Sequence, residues 1–337
     1  MMENIQNFQI LWFVLIFILL VGYALLDGFD LGVAVLLPFL GGTKEEKDTL
    51  IASIGPVWDG NEVWLITGGG ALFAAFPHAY ATAFSGFYLA MMLVLLALIF
   101  RAVSMEFRAN DPKRAWLWEK ALIGGSALAA LLFGVALGNV IYGVPLTGQM
   151  EYAGSFFTLL RPVPLLFGLT GLAAVLLQGA SWAVMKTDGE LQERSFKAVK
   201  KLMWVNAFTA MIYFVVLIVT FPRLSANILF YVAVWLTYAG LIALYYSLGK
   251  RNDVAPFAES SLSFIGLLLA AGTVQFPNLI TASNNPHFSL TIYNSSTGLY
   301  TLQVMAVIAL AFMPMVIGYT IFVYRLFKGK ARTDDHY

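Results

Sequence analysis

The sequence predicts an all-α integral membrane protein of about nine transmembrane helices, and three observations carry that expectation. Of 337 residues, 60% are hydrophobic and 12% charged, about half the roughly 25% charged residues of a soluble domain. Several windows exceed the ~18 apolar residues that mark a bilayer-spanning helix. The basic residues are segregated into alternate connections, so the net charge of +1 describes no single surface.

The first window, 8–38, is too long for the ~7–15-residue core of a signal peptide, and no A-x-A-like site follows it, so a retained helix is expected. Window 53–76 comes next, with Pro77 closing it, followed by 80–103. Window 120–142 is followed by Pro145. The remainder are 162–185, 202–221 (ended by Pro222), 228–248, 258–280 (preceded by Pro256) and 300–326. Two four-helix bundles plus one peripheral helix form a natural partition of a single membrane domain over 1–337. Arg161 and Arg223 are the only basic residues in one set of connections, against eighteen in the other. By the positive-inside rule the N-terminus is expected outside and the C-terminus in the cytoplasm.

A charge at the bilayer centre costs at least ~2.5–3.5 kcal/mol on insertion scales, so acids within spans are functional candidates. The first window holds Gly22-Tyr23-Ala24-Leu25-Leu26-Asp27-Gly28-Phe29-Asp30-Leu31-Gly32. The second holds Pro56-Val57-Trp58-Asp59-Gly60-Asn61-Glu62-Val63-Trp64. Asp27 with Asp30, and Asp59 with Glu62, are three apart and share a helix face. Both motifs are expected in the cytoplasmic third, with Arg101 as an available counter-charge. Partly buried carboxylates exchange protons near neutral pH, so this group reads as a proton relay. The bland alternative is that acids near helix ends simply reach interfacial water, and that the glycines permit tight packing. Glu106 and Glu119 fit that alternative, solvated or paired with Arg108 and Arg114.

There is no cysteine and there are three histidines. His78 and His287 fall in connections and His336 in the tail, so no haem ligand at membrane depth, and no metal site, is expected. The twelve methionines sit in apolar spans, where packing is the commoner role. No nucleic-acid partner is expected. Two readings survive on physical grounds. One is a proton-handling, non-haem subunit of a larger complex; the other is an autonomous proton-coupled secondary transporter. Acids crowded into the first two windows favour the former, because a transporter often shows two related halves.

The two acidic segments resemble the signature segments of subunit II of the cytochrome bd quinol oxidases. The resemblance continues through Gly69-Gly70-Ala71-Leu72-Phe73-Ala74-Ala75-Phe76-Pro77, Phe84-Ser85-Gly86-Phe87-Tyr88, Phe100-Arg101-Ala102-Val103-Ser104 and Gly134-Val135-Ala136-Leu137-Gly138-Asn139. Beyond residue 160 the clearest piece is Leu177-Gln178-Gly179-Ala180-Ser181-Trp182. The resemblance implies a multi-pass subunit of the bacterial or archaeal plasma membrane, paired with a haem-bearing subunit I and in some members a small third subunit. The complex would oxidise quinol and reduce dioxygen to water, with haems b and d in the partner. It implies that Asp59 lies on a proton pathway, which the residue reading extends to Asn61, Glu62, Asp27 and Asp30, and that Trp64 borders an oxygen channel. Asp30, Trp58, Arg101 and Glu119 would bear on haem retention and assembly. Some members also carry a structural quinone in this subunit.

Overall fold

A computed structural model describes residues 2–332, with side chains from residue 4; His336 lies outside them. α1 spans Met2–Leu40, and its 39 residues reach about 58 Å at 1.5 Å per residue. That exceeds the ~30 Å hydrocarbon core, so α1 starts before window 8–38 and projects beyond the apolar layer. The connection after it is itself helical: α2, Lys44–Ile54, opens on a capping box in which the Thr43 hydroxyl accepts from Glu46 N–H and the Glu46 carboxylate accepts from Thr43 N–H. Pro56 has no amide hydrogen to continue the ladder. The second spanning segment therefore begins at Trp58 rather than residue 53, as α3 (Trp58–Ala75).

Pro77 starts an element instead of merely closing one. It is the first residue of α4 (Pro77–Gly86), where a missing N–H costs nothing. A break at Phe87 then separates α4 from α5 (Tyr88–Asn110), so window 80–103 covers parts of two helices. α6 (Ala115–Tyr142), α7 (Pro162–Lys186), α8 (Gly189–Thr220), α9 (Ile228–Gly249), α10 (Ala255–Gln275) and α11 (Leu299–Leu326) follow. α10 stops short of window 258–280, because Pro277 ends it and Asn278–Ile280 pairs antiparallel with Leu290–Thr291 as β1 and β2. Among the described residues, eight helices are long and apolar enough to cross a membrane. The second expected span, 53–76, is the one not among these eight; it contains α3, whose 18 residues reach ~27 Å but begin with a polar turn.

α7 is the centre of the packing, lying against α1, α6, α8 and α10. The reason is small residues. A Cβ on Gly179 of α7 would stand 2.4 Å from the carbonyl carbon of Gly32 on α1, and one on Gly168 would stand 2.9 Å from the Leu131 carbonyl oxygen on α6. Helices approach this closely in lipid only where side chains are absent. α11, by contrast, buries only Leu302 and Ala306.

Candidate functional site

The first acidic motif is divided between two faces of α1. Gly28 and Gly32, four apart, turn to α7, where they meet Gln178, Val175 and Gly179. Gln178 donates to the Leu25 carbonyl at 3.0 Å and to the Ser261 hydroxyl at 3.1 Å. Phe29 stacks on Trp182 with ring centroids 4.0 Å apart. The Leu177–Trp182 segment is therefore the packing partner of the first motif, a pairing that sequence separation conceals. Asp27 and Asp30 occupy the adjacent face, toward α3 and α5, and both are fully buried.

Arg101 of α5 is fully buried with them. Its Nη2 stands 2.6 Å from Asp27 Oδ1 and 3.9 Å from Asp30 Oδ2, and its Nη1 donates to Glu62 Oε1 at 3.0 Å. Trp58 covers the guanidinium at 5.8 Å, within cation–π range. Asn61 Nδ2 donates to Asp30 Oδ2 at 2.7 Å and to the Leu26 carbonyl at 3.0 Å. One guanidinium thus faces three carboxylates in a site from which water is largely excluded, where each uncompensated ion costs several kcal/mol.

The predicted residues do not all converge. Asp59 is exposed and is not among the carboxylates paired with Arg101, while Glu62, half-buried, is. Trp64 is half-buried with its ring against Gly22, where a Cβ would lie 2.5 Å from it. Glu119 belongs to a separate network at the basic end. It accepts from Lys47 at 2.7 Å and from Arg108 at 3.0 Å, and Arg108 also bridges Asp48 at 2.5 Å. Arg108 is thus one of the partners expected for Glu119, Lys47 replaces Arg114 as the other, and Glu106 is exposed. Burial pushes the Asp48 carboxyl up, but hydrogen bonds from Arg108 and Lys44 outweigh it and hold the group below the ordinary carboxylate range.

Two features had no sequence signal. Tyr324 of α11 donates to Asn61 Oδ1 at 2.9 Å across 263 positions of chain. Between α1, α6, α7, α8 and α10 lies an apolar cavity of about 390 Å³, lined by Phe13, Phe17, Phe133, Phe167 and Phe264 among others. Thr170 and Gln275 also line it, and their buried side-chain polar atoms have no hydrogen-bond partner.

Comparison with known proteins bears on the family and the fold. A family model described as cytochrome bd terminal oxidase subunit II matches residues 8–327. The chain is 34% identical over 369 aligned positions to the probable cytochrome oxidase subunit 2 of Haemophilus influenzae, covering 98% of this chain and 96% of that one. It is 33% identical over 370 positions to the cytochrome bd-I ubiquinol oxidase subunit 2 of Escherichia coli, covering 99% and 98%. Against the cytochrome bd ubiquinol oxidase subunit 2 of Bacillus subtilis it is 35% identical over 329 positions, covering 95% and 96%. Its fold matches a chain in the structure of the bd oxidase from Geobacillus thermodenitrificans with a TM-score of 0.80 at 16% identity, covering 95% and 98%; at that identity the likeness speaks for the fold. The match across residues 8–327, with relatives of this identity over nearly their whole length, establishes that the chain belongs to the cytochrome bd terminal oxidase subunit II family.

Proposed function

We propose that this chain is the haem-free half of a bd-type quinol oxidase in the bacterial plasma membrane, and that its buried carboxylates deliver cytoplasmic protons toward a haem of the partner subunit I. The observation that carries the reading is the placement of Asp59. It is exposed on a face of α3 that continues through Val63, Ile66 and Phe73, all exposed and apolar. A carboxylate on such a face is costly against lipid, so the face is assigned to subunit I. Glu62, one turn further on, links Asp59 to Arg101 and the buried pair. Three carboxylates sharing one guanidinium can store a proton, because adding it relieves an uncompensated charge.

The donor set does not fit a haem. His78 is exposed in the first turn of α4 rather than in a connection, His287 is exposed between α10 and α11, and no group of three His, Asp or Glu side chains among the described residues could hold a metal. Haems are assigned to subunit I. The ~390 Å³ apolar cavity fits the tail or ring of a structural quinone, as ligand sites of ~300–1,000 Å³ do. Thr170 and Gln275 supply the unpartnered polar atoms for its carbonyl groups. Trp64, on Gly22 at the partner-facing edge, is assigned to the oxygen route.

In the intact oxidase, Asp59→Asn should lower oxygen consumption by about a hundredfold or more, the scale of a positioned proton-transfer group, while the haem spectrum stays intact. Unchanged oxygen consumption would remove Asp59 from the pathway.

A further inference from the structure

The peripheral helix α11 reaches the buried cluster through one side chain. Most of α11 is uncovered, with Leu310, Met315 and Tyr319 each more than 60% exposed. Near its C-terminal end, however, the Tyr324 hydroxyl donates to Asn61 Oδ1. The ring is held in place by Phe29 and Trp182, with centroids at 6.5 and 6.2 Å. Tyr324 also lines a polar pocket of about 390 Å³ at the basic end of the molecule. It therefore stands between that pocket and the carboxylates.

Asn61 is engaged at both ends of its amide: Nδ2 donates to Asp30 and to the Leu26 carbonyl, and Oδ1 accepts from Tyr324. The two ends of an amide are opposite in polarity. Rotating this one by half a turn would set Oδ1 against the Asp30 carboxylate and the Leu26 carbonyl, both acceptors only, so these two groups select the rotamer, while the Tyr324 hydroxyl ties the amide down from its other end. By donating to Oδ1 the hydroxyl anchors the amide and polarises it, which strengthens the Nδ2–H bond to Asp30. A carboxamide does not take up and release protons as a carboxylate does, so the series Tyr324–Asn61–Asp30 is a latch and not a proton wire.

We propose that Tyr324 is a positioning residue that, through Asn61, holds the hydrogen bond on Asp30 and so fixes the charge distribution of the buried cluster from the peripheral helix. The proposal rests on the reading of that cluster as a proton store.

The test uses the intact oxidase. Tyr324→Phe keeps the ring and removes only the hydroxyl. Haem content should be unchanged, the carboxyl C=O stretch in the reduced-minus-oxidised infrared spectrum should move, and turnover should fall by about threefold or more, the scale of a lost hydrogen bond. In an Asn61→Ala background, Tyr324→Phe should add nothing, since its effect passes through Asn61. Carboxyl bands identical to wild type, or additive losses in the double variant, would overturn the latch. Should Tyr324→Phe not assemble, Tyr324→His restores a donor at that position, and failure to recover the wild-type band would likewise overturn it. A shifted band alongside a fully active Asp59→Asn variant would defeat the proton route and leave the latch standing. An unshifted band with a slowed Asp59→Asn variant would do the reverse.

Discussion

Replacing Arg101 by methionine should abolish recovery of an assembled, haem-loaded oxidase. The guanidinium is fully buried and is shared by Asp27, Asp30 and Glu62. Removing one partner of a buried ion pair costs ~3–5 kcal/mol, because the remaining charge is left without compensation. Here three carboxylates lose their shared cation together. A loss of that size changes a folded-to-unfolded ratio by a hundredfold or more. Arg101→Lys should recover only part of the yield: an ammonium keeps the charge but not the planar fork, which places Nη1 on Glu62 and Nη2 on Asp27. Combining Arg101→Met with Asp27→Asn and Glu62→Gln should assemble better than Arg101→Met alone, since two of the three carboxylates left without a cation are then neutral. Haem absorbance of the purified complex reads all three results. Normal haem content in Arg101→Met would show that the cluster is not held by this residue.

The second large effect is expected from Gly179→Ala. The added methyl would lie 2.4 Å from the Gly32 carbonyl carbon and 2.5 Å from the Val33 nitrogen. Both are backbone atoms within α1 and cannot rotate away, so α1 and α7 must separate. Overpacking costs ~1–3 kcal/mol, occasionally more, and a rigid backbone contact belongs at the upper end. The separation would also disturb Gln178, which joins α7 to the Leu25 carbonyl one turn before Phe29. Gly124→Ala is the matched control, because a Cβ there meets nothing within 4 Å. Thermal retention of the assembled complex should fall clearly for Gly179→Ala and barely for Gly124→Ala. Equal behaviour of the two would mean that α1 and α7 tolerate separation.

Glycine spacing alone does not distinguish these cases. Gly28 and Gly32 are packing glycines, as are Gly68 against Leu20 and Gly179 against Gly32, whereas Gly60, Gly69 and Gly70 look into open space on α3. The two sets share a residue type and differ only in which way a helix is turned. The apolar runs, the segregated cations and the acids at spacing three were legible because each depends on local sequence. Helix ends were less so: Pro77 and Pro56 mark a break, yet whether a proline closes one helix or opens the next depends on what packs on either side.

The sequence by itself determined the membrane class, the identity of the acids and their family resemblance, because insertion energetics and residue chemistry act on composition and short spacing. Tertiary structure alone decided how the acids are used. It buried Asp27 and Asp30 on Arg101 while leaving Asp59 exposed, and it brought Tyr324 to Asn61 across 263 positions. Those outcomes depend on the rotation and contact of whole helices. The rotation of α1 on α7 is settled by close backbone approach at Gly32 and Gly179, far apart in sequence, and no local pattern encodes which helices meet.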